Sequence, residues 1–180
     1  MNYHKIEKAS IANGTGIRVV LWCSGCRVMC RNCQNPQTWD FNSGQPFDES
    51  AKQELFKALD KPYIQGCTFS GGHPLEPENV YDVYVLIKEI KEKFPTKDIW
   101  LYTGYTLNYD NFTILIKGVD PKSSHWNWMN EVLCLCDIVI DGPYIEEQRD
   151  LTLKFCGSRN QRLIDVQKTL AQGEITLWNG

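Results

Sequence analysis

Short apolar runs that stop at glycine or polar turns alternate along this chain with amphipathic helical segments, and that alternation permits few folds. Val19-Val20-Leu21-Trp22 ends at a group of cysteines, and Cys67-Thr68-Phe69-Ser70 stops at Gly71-Gly72. Ile99-Trp100-Leu101-Tyr102 closes at Thr103-Gly104, and Ile138-Val139-Ile140 at Asp141-Gly142-Pro143. Arg162-Leu163-Ile164-Asp165-Val166 supplies a fifth run. β-Branched and aromatic stretches bounded by such turns are strands. Between them, Asp48 is placed to cap a helix over 49–60 with Leu55, Phe56 and Leu59 on one face. Val80, Val83, Tyr84, Ile87, Ile90 and Phe94 recur at helical spacing until Pro95. Strands alternating with helices predict an α/β fold with a mostly parallel sheet and right-handed crossovers. The stretch 105–136 is less regular, with a weak helix near 109–118 and a Trp-rich segment at Trp126 and Trp128.

In parallel α/β sheets, ligand chemistry gathers at the C-terminal ends of the strands. The cysteine loop, Ser70-Gly71-Gly72-His73 and Asp141-Gly142 all fall at such ends. The net charge of -3 gives no broad basic surface for nucleic acid. No apolar run approaches the roughly 18 residues of a membrane span. Met1-Asn2-Tyr3-His4-Lys5 begins no secretory signal, so a cytoplasmic location is expected.

A reducing compartment gives eight cysteines a metal or redox meaning. Cys23, Cys26, Cys30 and Cys33 crowd together, whereas Cys67, Cys134, Cys136 and Cys156 are scattered and read as small buried hydrophobes. In a strand, Cys134 and Cys136 would face one side. Cys26-x3-Cys30-x2-Cys33 supplies three thiolates in one loop, the ligands that select iron–sulfur clusters. Three ligands leave the fourth iron of a cubane open to a small molecule. With Cys23 the segment reads C-x2-C-x3-C-x2-C, which suits a closed four-cysteine metal or electron-transfer module. Paired zinc motifs, however, place a dozen or more residues between the pairs, and Cys23 suits the core-facing end of the first strand.

The cysteine triad, with Gly14-Thr15-Gly16-Ile17-Arg18 before it and Asn35-Pro36-Gln37-Thr38-Trp39-Asp40 after it, resembles the radical S-adenosylmethionine superfamily. Within it, the chain resembles the activating enzymes of anaerobic, class III ribonucleotide reductases. Asn42-Ser43-Gly44-Gln45-Pro46-Phe47, Ser70-Gly71-Gly72, Trp100-Leu101-Tyr102-Thr103-Gly104-Tyr105, Asp141-Gly142 and Gly157-Ser158-Arg159-Asn160-Gln161-Arg162 carry that closer likeness. It covers residues 1–168 or so, as one radical S-adenosylmethionine domain over 1–180 in which the insertion at 119–136 and the tail at 169–180 match less well.

The resemblance implies a short, incomplete (β/α) barrel with a [4Fe-4S] cluster on Cys26, Cys30 and Cys33. It implies reductive cleavage of S-adenosylmethionine to a 5′-deoxyadenosyl radical, which installs a glycyl radical on the large subunit of the anaerobic ribonucleoside-triphosphate reductase. An electron donor such as flavodoxin is then expected. Asn32, Cys33 and Gln34 would lie over the adenine, Gly71 and Gly72 would let the backbone approach the methionine amino group, and Tyr102, Thr103 and Asp141 would face the ribose. His73 stands where the family usually carries Asp or Glu. Its imidazole either accepts a hydrogen bond from the methionine ammonium or points away. Trp39 suits packing, Asp141 suits a turn as well as the site, and Arg18 suits either a carboxylate partner or an anion. An activator of pyruvate formate-lyase type is the neighbouring alternative, although that family is longer.

Overall fold

The computed structural model describes residues 1–110 and 113–180. An antiparallel pair, β1 (Asn2–Ser10) and β2 (Ile17–Cys23), opens the chain, and the two-residue β3 (Gln45–Pro46) lies outside β1. Then α1 (Glu49–Leu59), β4 (Ile64–Gly71), α2 (Pro77–Lys93) and β5 (Asp98–Tyr102) alternate as the sequence predicts. A hairpin of β6 (Leu107–Asp110) and β7 (Thr113–Ile116) precedes α3 (Trp126–Leu135), β8 (Ile138–Asp141), β9 (Arg162–Asp165) and α4 (Val166–Gln172). The main sheet runs β3-β1-β2-β4-β5-β8-β9. Its inner strands β2, β4, β5 and β8 are parallel, while β1 and β9 close the flanks antiparallel.

Strand side chains alternate between the two faces, and here the faces differ in chemistry. Val19, Leu21, Cys23, Cys67, Phe69, Ile99, Leu101 and Val139 join the main core with residues of the helices. In α2 that core takes Val80, Val83, Leu86, Ile87 and Ile90. Asp48 caps α1 by accepting the Ala51 N–H at 2.9 Å, as the sequence predicts. The in-between positions Arg18, Trp22, Thr68, Ser70, Trp100 and Tyr102 make the opposite face aromatic and polar. There Arg18, fully buried, pairs with Asp98 at 2.6 Å, donates to Thr68 Oγ1 at 2.8 Å and stacks 5.1 Å over Trp100. Of the two readings of Arg18, the carboxylate partner is the one observed.

Several expectations are corrected. The segment near 109–118 holds strands rather than a helix, at 107–110 and 113–116, while 111–112 lies outside the described residues. Ile114 and Ile116 are buried at the two-residue spacing of a half-buried strand, with Leu107 buried opposite Ile116. The Trp-rich stretch is α3, which buries Met129, Val132 and Leu133 at helical spacing. Cys134 is therefore on a helix and Cys136 caps its end, so they do not share a strand face. Near the C-terminus, α4 ends at left-handed Gly173. Beyond it, the Trp178 N–H donates to the Leu163 carbonyl at 2.8 Å and the indole meets Trp100 edge-on. Among the described residues no helix is long and apolar enough to cross a membrane.

Candidate functional site

The cysteine loop leaves the C-terminal end of β2. Its first turn is fixed by backbone bonds from Gly25 to the Thr38 carbonyl and from Cys26 to that of Trp39, at 2.7 and 3.0 Å. Gly25 sits at φ +90, and a Cβ there would lie 2.2 Å from the Phe41 ring. Between the cysteines, Met29 and Asn32 adopt left-handed backbone at φ 45 and 57. Burial raises the Cys26 thiol pKa, and N–H donors from Met29 and Val28 oppose that rise. Burial likewise raises Cys30, opposed by the Tyr144 N–H. Cys33 Sγ accepts the Asn35 N–H at 3.3 Å.

Half-buried thiols that each receive backbone N–H donors suit iron–sulfur ligation, because such donors stabilise thiolate charge and tune the cluster. Among the described residues no three His, Cys, Asp or Glu side chains converge around one ion. A cubane asks something different of the loop, one thiolate for each of three irons. Cys23 is fully buried in the core, where desolvation pushes its thiol up to about 12. It is the core-facing end of β2 that the sequence suggests.

The Ser70-Gly71-Gly72 turn is pressed against this loop. Gly72 donates to the Cys23 carbonyl at 2.8 Å, and His73 donates its backbone N–H to Gly25 at 2.7 Å. A Cβ on Gly72 would lie 2.6 Å from the Gly25 oxygen, so only glycine permits this approach. The His73 side chain turns into the protein. It is 1% exposed, with Nε2 2.7 Å from Thr103 Oγ1, Nδ1 3.5 Å from Glu76 Oε1 and the ring edge-on to Tyr105. Thr103 is thereby engaged as well, and its Oγ1 also accepts the Tyr105 N–H at 3.1 Å.

A cavity of about 420 Å³ opens on the aromatic face beside the loop. Cys33, Gln34 and Tyr102 line it, together with Asn13, Trp22, Asn35, Ser70, Tyr144, Phe155, Cys156 and Gln161. Asn32, Gly71, Gly72, His73, Thr103 and Asp141, together with Cys26 and Cys30, are outside that lining. Asp141 is fully buried, with Oδ1 accepting Arg162 Nε at 3.0 Å and Oδ2 accepting the Leu107 N–H at 2.9 Å. Its carboxylate thus locks β9 and β6 to β8. The segment 144–161 forms one wall of the cavity. Tyr102 holds that wall by donating its hydroxyl to the Phe155 carbonyl at 2.9 Å. Trp22 and Ser70 were legible as the opposite-facing positions of their strands, whereas Tyr144, Phe155 and Cys156 belong to a loop with no periodic signal.

Residues 12–164 match the family described as a 4Fe-4S single cluster domain. The chain is 40% identical over 165 residues to the anaerobic ribonucleoside-triphosphate reductase-activating protein of Enterobacteria phage T4, covering 91% of this chain and 93% of that one. It is 36% identical over 163 residues to the protein of the same name from Escherichia coli (strain K12), covering 89% and 96%. The Haemophilus influenzae protein of that name is likewise 36% identical over 163 residues, covering 89% and 96%. With that identity along nearly the whole chain, and with the cysteine triad folded beside a cavity, the protein belongs to the family of anaerobic ribonucleoside-triphosphate reductase-activating proteins.

Proposed function

We propose that this protein holds a [4Fe-4S] cluster on Cys26, Cys30 and Cys33, binds S-adenosylmethionine beside it, and installs a glycyl radical on an anaerobic ribonucleoside-triphosphate reductase. The observation that carries this reading is the position of Cys33, at once a member of the triad and part of the cavity wall. Once bound, the cluster and cosubstrate supply one-electron cleavage to methionine and a 5′-deoxyadenosyl radical, which takes a hydrogen atom from a glycine of the reductase.

The chain's own residues place and shield. Gln34, Asn35 and Ser70 offer polar contacts around the cavity, while Trp22, Tyr102 and Phe155 offer aromatic faces for a base or ribose. Wall 144–161 limits water on one side, and water exclusion matters where a reactive radical is made. The four inner parallel strands, with the site at their C-terminal ends, fit an arc of an incomplete (β/α) barrel within a single domain over 1–180. The unclosed arc leaves an approach for a partner's backbone. A low-potential donor of flavodoxin type and a cytoplasmic location accord with this chemistry. A closed four-cysteine module fits less well, since Cys23 is sealed in the core.

The test is anaerobic. Reduced protein, S-adenosylmethionine and the reductase are mixed and examined by electron paramagnetic resonance. A glycyl radical that disappears when the target glycine is alanine is the expected result; cluster-loaded protein that cleaves no S-adenosylmethionine refutes the proposal.

A further inference from the structure

The carboxylate that the family resemblance places at position 73 is missing, but a buried carboxylate lies three residues on. Glu76, 1% exposed, immediately precedes Pro77 at the start of α2. Its Oε1 accepts the backbone N–H of Arg27 at 2.8 Å, and its Oε2 accepts Arg27 Nη1, also at 2.8 Å. The Arg27 guanidinium reaches on to Glu78 and stacks 4.3 Å over the Phe41 ring. Arg27 directly follows the triad's first cysteine, so the N–H that Glu76 holds belongs to the peptide joining Cys26 to Arg27.

We infer that Glu76 is a positioning residue for the cluster: by fixing the Cys26–Arg27 peptide to the start of α2, it sets the direction in which Cys26 presents its thiolate. The inference rests on the triad being the ligand set. A peptide is planar, so an acceptor that fixes its N–H also fixes its carbonyl and restricts the torsion at Cys26. Among the described residues, the only backbone–backbone bonds donated from 26–33 are those of Cys26 to Trp39 and of Cys33 to Cys30. A loop so lightly tied depends on each side-chain acceptor that reaches it. A carboxylate is suited to this task because charge-assisted hydrogen bonds are shorter and stronger than neutral ones. The Arg27 side chain neutralises the charge so that it can remain buried.

The backbone contact and the ion pair can be separated. Glu76→Ala removes the acceptor, Glu76→Gln keeps an oxygen acceptor without charge, and Arg27→Gln keeps the N–H while removing the guanidinium. Each purified chain is reconstituted anaerobically. Iron and sulfide per chain, the rate of cluster loss to a chelator, and amide hydrogen exchange across 24–33 in the cluster-free protein are then measured. Several-fold faster cluster loss and faster loop exchange are expected for Glu76→Ala, with exchange in the middle of α2 unchanged. Glu76→Gln should restore most of the parental behaviour, and Arg27→Gln should stay closer to the parent than Glu76→Ala does. Parental exchange and cluster retention in Glu76→Ala would overturn the inference, as would an Arg27→Gln variant that loses cluster as fast as Glu76→Ala. If Glu76→Ala does not fold, Glu76→Asp takes its place on the same readouts. Its carboxylate is one methylene short of the Arg27 N–H, so faster loop exchange and cluster loss than in Glu76→Gln are expected, and parental behaviour would overturn the inference. A parent chain that takes up no cluster at all would instead overturn the proposed function.

Discussion

His73 and Thr103 hold each other across the ends of two neighbouring strands, with Nε2 and Oγ1 2.7 Å apart. Because the imidazole is sealed and its Nδ1 faces Glu76, we expect His73→Ala to act mainly on stability. Stranding the Thr103 hydroxyl and its neighbours should cost about 1–3 kcal/mol, read by urea unfolding. S-Adenosylmethionine affinity should change by less than about threefold, or under 1 kcal/mol. A tenfold affinity loss at unchanged stability would place the imidazole on the cosubstrate. His73→Asp should be worse than His73→Ala, since a second buried carboxylate would face Glu76.

Replacing Cys26, Cys30 or Cys33 with Ala should abolish stable cluster binding, measured as iron and sulfide per chain after anaerobic reconstitution. Cys23→Ala should retain the cluster and lower stability by about 1 kcal/mol, the usual scale for a small core truncation. Loss of the cluster in Cys23→Ala, with the fold intact by circular dichroism, would contradict the three-ligand assignment.

Gly72→Ala tests the contact between the turn and the loop. Its Cβ would meet the Gly25 and Cys23 carbonyl oxygens at 2.6 and 3.0 Å, and both belong to backbone rather than to a flexible side chain. The loop must move, so cluster occupancy should fall with S-adenosylmethionine cleavage. Gly118→Ala is a control of another kind, since among the described residues, its chain neighbours aside, no atom would lie within 4 Å of the added Cβ and only its φ of +85 opposes a side chain. It should cost some stability and leave the cluster content unchanged.

Asp141→Ala should destabilise the fold rather than alter cosubstrate binding. It strands the Leu107 N–H and the Arg162 guanidinium, which spans to the Leu107 carbonyl at 2.7 Å. Breaking a buried pair costs about 3–5 kcal/mol. Arg162 is a third exposed, so about 1–3 kcal/mol is expected after solvent screening.

Acid should reveal Glu76. Although burial favours its neutral form, the His73 ring beside it and the bonds from the Arg27 backbone and side chain outweigh it and lower its pKa from 4.5 to about 2. The native state therefore binds this proton less readily than the unfolded chain. The resulting stability is fully present above pH 4.5 and is lost as the pH falls toward 2. In the cluster-free protein, Glu76→Gln should flatten that part of the stability profile, and an unchanged acid limb would show that other carboxylates produce it.

Local pattern made much of the protein readable. The spacing of Cys26, Cys30 and Cys33 is a property of one loop, and the periods of α1, α2 and the inner strands lie within single segments. The sequence alone therefore determined the alternating α/β order, the C-terminal ends of β4 and β5 to within a residue, and the core position of Cys23. Even some misread elements carried a local signal, as in the helical spacing of Met129, Val132 and Leu133 or the β-branched run Thr113-Ile114. Strand β1 was harder, because the polar residues His4, Lys5, Glu7 and Lys8 fall on both of its faces and mask the alternation. Tertiary structure alone decided which polar groups meet. His73 finds Thr103 thirty residues away, Arg27 finds Glu76 at a separation of 49, and Arg162 finds Asp141 from an antiparallel neighbour. A side chain's hydrogen-bonding capacity is written in its type, but its partner is set by strand order and register, which no local window contains.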